Sequence, residues 1–330
     1  MERMWAVRVK EFGGPEVLVP ERVPAPAAGP GQVVVGVDVA DTGFVETQIR
    51  RGAWQDYFPI GLPWVPGNAV AGRVLSVGAD VDPGWTGRRV ATATAEWGGY
   101  AEQAVALAET LVVLPDEVEK AVAAALLHDG VTALGVFEPA APAAGETVLV
   151  TAAAGGMGVL LVQLARSAGA RVIGAARGAA KLDHLRTYGI DVVDYGEPDW
   201  PARVRELAGP RGVSVTFDGA GGALGRAAFE LTADGGRMSA HGAPGGGFAT
   251  VDPREAERRG VKLRGITDVQ FAPVEAARLA ERALELAAAG RIVPMIGATF
   301  PLERAADAHA AIEARSVVGK TVLTVGRQQA

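Results

Sequence analysis

At 330 residues the chain is about twice the usual domain unit, so two domains are the expectation. Its 49% hydrophobic and 21% charged residues match ordinary globular usage and exclude disorder, and a net charge of −6 argues against the basic footprint of a nucleic-acid binder. With zero cysteines there is no disulfide framework, thiolate nucleophile, cysteine zinc site or iron–sulfur cluster, and no two of the four histidines are spaced as a ligand pair, so no metal is expected. Residues 1–10 alternate charged and apolar side chains, a strand pattern and not a signal peptide. No apolar run approaches the roughly 18 residues of a membrane span, 121–127 being too short, so no membrane contact and a cytoplasmic location are expected. To about Pro115 the pattern is β-rich, with strands predicted at 5–10, 33–39, 69–77, 89–93 and 101–106, separated by glycine and proline turns. An alanine-rich helix is predicted over 118–137. Six short strands then alternate with amphipathic helices, at 147–150, 171–175, 192–195, 213–217, 236–241 and 261–265. That alternation predicts a doubly wound parallel α/β sheet of dinucleotide-binding type. A helix at 276–289, strands at 294–300 and 321–325 and a helix at 305–314 form a tail expected to return to the first domain.

The most informative segment is Thr147-Val148-Leu149-Val150-Thr151-Ala152-Ala153-Ala154-Gly155-Gly156-Met157-Gly158, an apolar strand running through small residues into an apolar helix. Gly155 would let backbone approach a pyrophosphate, Gly158 would let helix and strand pack closely, and the helix start would offer N–H groups and a positive dipole end. Ala153 stands where the usual first glycine would be. An acidic residue about 20 positions on would hold the ribose hydroxyls of NAD and repel a 2′-phosphate. Between Thr151 and Lys181 there is none, while Arg177 and Lys181 are both cationic. NADPH is therefore the expected cofactor, with Arg177 offering a planar fork and Lys181 a point charge. The alternative is that both are solvated helix-end cations.

With these residues in place the chain resembles the medium-chain dehydrogenase/reductase superfamily, in its zinc-free quinone oxidoreductase branch, over nearly its whole length. The landmarks are the loop above, Asp194-Tyr195, 212–218 leading into Gly221-Gly222, Gly235-Gly236-Arg237, Thr299-Phe300-Pro301-Leu302 and Gly319-Lys320. The resemblance implies a GroES-like β-rich catalytic domain from both chain ends (1–122 and 273–330), a Rossmann NADPH-binding domain at 123–272, a cleft between them, and a homodimer through strand 261–266. It places Ala154, Gly155, Gly156, Met157 and Gly158 at the pyrophosphate, Arg177, Lys181, Tyr195 and Lys320 around the 2′-phosphate and adenine, and Thr132, Gly242 and Ala243 beside the nicotinamide. Where zinc relatives carry Gly-His-Glu this chain has Gly67-Asn68-Ala69, and the position of their first cysteine ligand falls near Gly43.

The same resemblance exposes a departure. The family's substrate-side Asn-Pro-Val-Asp/Glu-Thr-Tyr is represented by Gly43-Phe44-Val45-Glu46-Thr47-Gln48, so Gly43 and Gln48 replace the asparagine and tyrosine. Hydride transfer to a quinone or related conjugated carbonyl creates an oxyanion, for which Gln48, Tyr57, Asn68 and His128 are the candidate catalytic donors. Tyr57, His128 or bulk water would deliver the proton. Two alternatives stay open: an NADPH-dependent ene reductase acting on enones or enoyl thioesters in a biosynthetic pathway, and a non-catalytic NADPH-binding module. No GxSxG elbow occurs, which disfavours a hydrolase.

Overall fold

The computed structural model describes residues 2–326. In chain order the first half comprises β1 (Arg3–Arg8), β2 (Val19–Pro24), β3 (Gln32–Asp41), α1 (Phe44–Arg50), β4 (Ala69–Val77), β5 (Arg89–Ala93), β6 (Gln103–Leu107) and β7 (Val112–Val113). Next, α2 (Lys120–Ala125) runs through a π-helical turn (Leu126–Gly130) into α3 (Val131–Ala140). The alternating segment follows: β8 (Thr147–Thr151), α4 (Gly156–Ser167), β9 (Arg171–Ala176), α5 (Ala179–Arg186), β10 (Asp191–Asp194), α6 (Trp200–Ala208), β11 (Val213–Asp218), α7 (Gly222–Leu231), β12 (Thr232–Ala240), α8 (Pro253–Arg258) and β13 (Lys262–Arg264). The tail is α9 (Pro273–Ala288), β14 (Ile296–Pro301), α10 (Ala305–Glu313) and β15 (Lys320–Thr324). These elements gather into two compact units. One holds the chain up to Val131, Ala272–Ala289 and the chain from Pro294 on; the other holds Thr132–Phe271 and Gly290–Val293.

In the first unit β3 is the hub. It pairs antiparallel with β4, β6 and β15, in a seven-stranded sheet of order β14-β15-β3-β4-β5-β7 with β6 added on β3. Its sequence Gln-Val-Val-Val-Gly-Val-Asp-Val-Ala-Asp is almost continuously apolar because both faces are covered, and Val33, Val35, Val37 and Ala40 are at most 2% exposed. The tail strand β15 lies on β3 with Val322 opposite Asp41, so the chain end completes the sheet begun by the N-terminal half.

The second unit is a fully parallel six-stranded sheet of order β10-β9-β8-β11-β12-β13. Counted along its own strands that order is 3-2-1-4-5-6, so direction of winding reverses between β8 and β11. All six predicted strands form, shifted by a few residues at their ends; β12 starts earlier than predicted and stops before His241. Val148, Leu149, Val150, Ile173, Val215 and Phe217 fill the centre, the near-continuous apolar runs of strands covered on both faces.

The predicted helix over 118–137 is instead α2, a π-helical turn and α3 in succession. Together they make one helical run, Lys120–Ala140, which is long and apolar enough to cross a membrane by length and composition, contrary to the sequence expectation. The apolar run at 121–127 was too short only because His128 and Asp129 interrupt it, and the helix carries on through them. Most of the run is buried inside the protein, as in the core helix of a soluble domain.

Candidate active site

Ligands of open parallel sheets lie beyond the carboxyl ends of the strands where the winding reverses. In the second unit that point is framed by the turns after β8 and β11. α4 begins at Gly156, and Gly155 before it has extended backbone and offers no side-chain cap, so the first turn keeps N–H groups for an anion. Gly158 is required here: a Cβ on it would lie 2.4 Å from Ala152 O and 2.7 Å from Ala153 Cα. Ala154, Gly156 and Met157 complete the turn. At the end of β9, the exposed Arg177 guanidinium lies 5.8 Å over the ring of Tyr195, which directly follows β10. Lys181 is half-buried in the first turn of α5. Thr132 occupies the first turn of α3, and Gly242 and Ala243 follow β12, with both His241 N–H and Gly242 N–H donating to Asp218 O at 3.1 and 2.9 Å.

Two carboxylates that lie in the sequence landmarks, but were given no role there, organise this unit. Asp194 accepts from Gly178 N at 3.0 Å and from Gly196 N at 2.7 Å, tying together the turns that carry Arg177 and Tyr195. Asp218, fully buried at the end of β11, accepts from Thr151 Oγ1 at 2.6 Å and from the N–H groups of Ala220 and Gly221 at 3.1 Å. Burial raises its pKa, and these bonds to the charged form hold it down. The signal for Asp218 was an acid closing an apolar strand just before a Gly-Ala-Gly turn.

In the first unit a buried charge cluster forms around Lys320. Its Nζ lies 3.0 Å from Asp41 Oδ1 and 3.0 Å from Asp129 Oδ1, and Lys320 is 6% exposed. Burial works against the ammonium, but Asp129, Asp41 and Glu46 outweigh it and raise its pKa. Burial raises Asp41 well above the carboxylate range, with Lys320 opposing; Glu46 is raised by the same cause. Lys320 was expected around the 2′-phosphate; in the structure its charge is already shared by Asp41 on β3 and Asp129 in the π-helical turn. The sequence offered only polar residues set in apolar runs as a signal.

His128 sits in the π-helical turn beside Asp129, half-buried. Desolvation and then Lys320 push its pKa down to about 4, so the imidazole is neutral near pH 7. Asn68 leads into β4 with its Oδ1 buried and without a hydrogen-bond partner. Gln48 Nε2 donates to Thr47 Oγ1 at 3.1 Å on α1, and Tyr57 is 45% exposed. A zinc site does not fit these residues. The chain has no cysteine, and among the described residues no three His, Asp or Glu side chains group as metal ligands.

The family model described as alcohol dehydrogenase GroES-like domain matches residues 29–116, and the one described as zinc-binding dehydrogenase matches residues 156–289. The chain is 32% identical over 324 residues to the quinone oxidoreductase of Sus scrofa, covering 97% of each. This chain belongs to the quinone oxidoreductase branch of the medium-chain dehydrogenase/reductase superfamily. Among solved structures of this superfamily, a mycobacterial protein in complex with NADPH is 34% identical with a TM-score of 0.87, covering 97% of this chain and 99% of that one. Escherichia coli quinone oxidoreductase complexed with NADPH is 26% identical, also with a TM-score of 0.87 and the same coverage. Within the superfamily's two-part architecture, the parallel sheet is the Rossmann-like part and the β3-centred sheet the GroES-like part.

Proposed function

We propose that this chain is a zinc-independent, NADPH-dependent oxidoreductase that transfers hydride to a quinone or a related conjugated carbonyl. The observation that carries the reading is the uncapped start of α4 after Gly155, on the same sheet edge as Arg177 laid across Tyr195. Bound there, NADPH supplies the hydride. The α4 N–H groups hold the pyrophosphate, Arg177 and Lys181 the 2′-phosphate, and Tyr195 gives the adenine a flat neighbour. Thr132, Gly242 and Ala243 flank the nicotinamide. Relatives solved with NADPH support the same assignment.

On the substrate side, Gln48, Tyr57, Asn68 and His128 are the groups available to a developing oxyanion. His128 is neutral near pH 7, so it serves as an N–H donor, and water delivers the proton. Gly43 and Gln48 replace the family's asparagine and tyrosine without favouring either acceptor, so an enone is the second substrate to test. The reading includes a cytoplasmic location and a homodimer through 261–266, where β13 is the edge strand of its sheet. The test is NADPH oxidation with a naphthoquinone and an aliphatic enone side by side. Quinone turnover supports the proposal; enone turnover to the saturated ketone makes the chain an ene reductase; NADPH binding without any turnover makes it a binding module.

A further inference from the structure

We propose that His241 Nε2 hydrogen-bonds the ribose–pyrophosphate backbone of the dinucleotide where the winding of the parallel sheet reverses. The inference rests on the NADPH reading above and adds a residue that neither the sequence nor the family pattern singled out.

The ends of β8, β11 and β12 form a floor of very small residues: Ala152, Ala153, Gly219, Ala220, Gly221 and Gly242. Their backbones touch. A Cβ on Gly242 would stand 2.0 Å from Gly219 O, and one on Gly221 would stand 2.3 Å from Gly242 O. The polar side chains below this floor, Thr151 and Asp218, are spent on each other and on the N–H groups of Ala220 and Gly221. His241 is the next side chain along, and it is not spent in this way.

Its orientation is set by Ser239, two residues back on the same side of β12. Ser239 Oγ lies 3.0 Å from His241 Nδ1 and the serine is 4% exposed. The ring is also hydrogen-bonded to the Ser239 backbone, so Ser239 holds it through two atoms. Desolvation pushes the ring's pKa down to about 4, against the opposing Ser239 backbone bond, so the imidazole is neutral near pH 7. Nε2 then overhangs the reversal point: it lies 3.7 Å from where a Cβ on Gly219 would stand, a point itself 3.1 Å from Thr151 O on β8. The ring is half-buried.

The test uses calorimetric titration of the full chain, His241→Leu and His241→Gln with three probes: NADPH, 2′-phospho-ADP-ribose, which lacks the nicotinamide, and 2′,5′-ADP, which lacks the second ribose. His241→Leu is expected to weaken NADPH and 2′-phospho-ADP-ribose by about tenfold and 2′,5′-ADP by less than about twofold, the worth of one lost hydrogen bond. His241→Gln, whose amide can take the place of Nε2, is expected to recover most of the loss. Unchanged NADPH affinity in His241→Leu overturns the proposal, as does a loss confined to NADPH, an equal loss for 2′,5′-ADP, or no recovery in His241→Gln. If the unaltered chain binds none of the probes, the NADPH reading itself fails and the proposal with it.

Discussion

Two basic residues are used differently in this chain. Arg177 stands exposed over Tyr195, while Lys320 is sealed between Asp41 and Asp129. Replacing Arg177 and Lys181 together with alanine should weaken NADPH about 10- to 100-fold more than NADH, measured by fluorescence titration, because charge-assisted bonds to the 2′-phosphate are lost and NADH has none to lose. Equal weakening of both would make the two residues surface cations. Lys320→Met should instead cost about 3–5 kcal/mol of folding stability in urea, since it strands two buried carboxylates. A loss below about 1 kcal/mol would show that the cluster reorganises by taking up a proton. Arg177 and Lys181 could be proposed from the sequence because charge type and spacing from the loop are local features. The surroundings of Lys320 could not, because Asp41 is brought to it by the pairing of β15 with β3 and Asp129 by the π-helical turn, across 191 or more residues.

At the level of elements, the strand–turn–helix of β8 and α4 was the most legible part of the chain. An apolar strand, a run of Ala and Gly and an apolar helix leave few alternatives, and local pattern suffices to define them. Two glycines in it do different work. A Cβ on Gly158 would collide with Ala152 O at 2.4 Å, whereas one on Gly155 meets only that same oxygen, at 3.3 Å. Gly158→Ala should therefore lower stability by about 1–3 kcal/mol in urea unfolding, the usual cost of forcing bulk into a packed contact. Gly155→Ala should leave stability within about 0.5 kcal/mol yet weaken NADPH, since the added methyl lies at the mouth of the helix start. Similar stability losses in both would remove the distinction. Other elements were illegible for physical reasons: β7 is two residues long, and α1 starts at Gly43 with Glu46 and Arg50 buried, a polar pattern that reads as a solvated turn. Of these two, Arg50 pairs with Glu313 and donates to Gly13 O.

For the whole molecule, the histidines set an acid limit. His128 and His241 have pKa values pushed down to about 4 and His309 to about 3, each by desolvation first. All three are neutral in the fold and would take a proton on unfolding below the ordinary value of about 6.5, so the unfolded chain binds more protons and stability falls as pH drops from about 6.5 toward 4. Asp41, Glu46 and Asp218, all raised, act in the opposite sense: their share is present at low pH and is lost as pH rises through their raised values. His309 separates the two effects, since its Nε2 lies 2.9 Å from the buried Tyr100 hydroxyl, a bond that a glutamine amide can replace. His309→Gln should reduce the slope of unfolding free energy against pH by about 1.4 kcal/mol per unit between pH 6 and 4, the worth of one proton. An unchanged slope would show that His309 is already charged in the fold.

By itself the sequence determined the alternating strands and helices of the six-strand parallel sheet, the glycine turn at α4 and the charge balance behind the NADPH assignment. These follow from hydrophobic period, turn residues and local charge, which act over a few residues and survive without knowledge of neighbours. Only the tertiary structure decided that Lys320 is a buried ion-pair partner, that Asp194 and Asp218 hold the loops of the parallel sheet, and that His241 Nε2 overhangs the point where the winding reverses. Each of those depends on which distant strand lies alongside, and pairing across the sheet is set by the packing of the whole core, which no local pattern encodes.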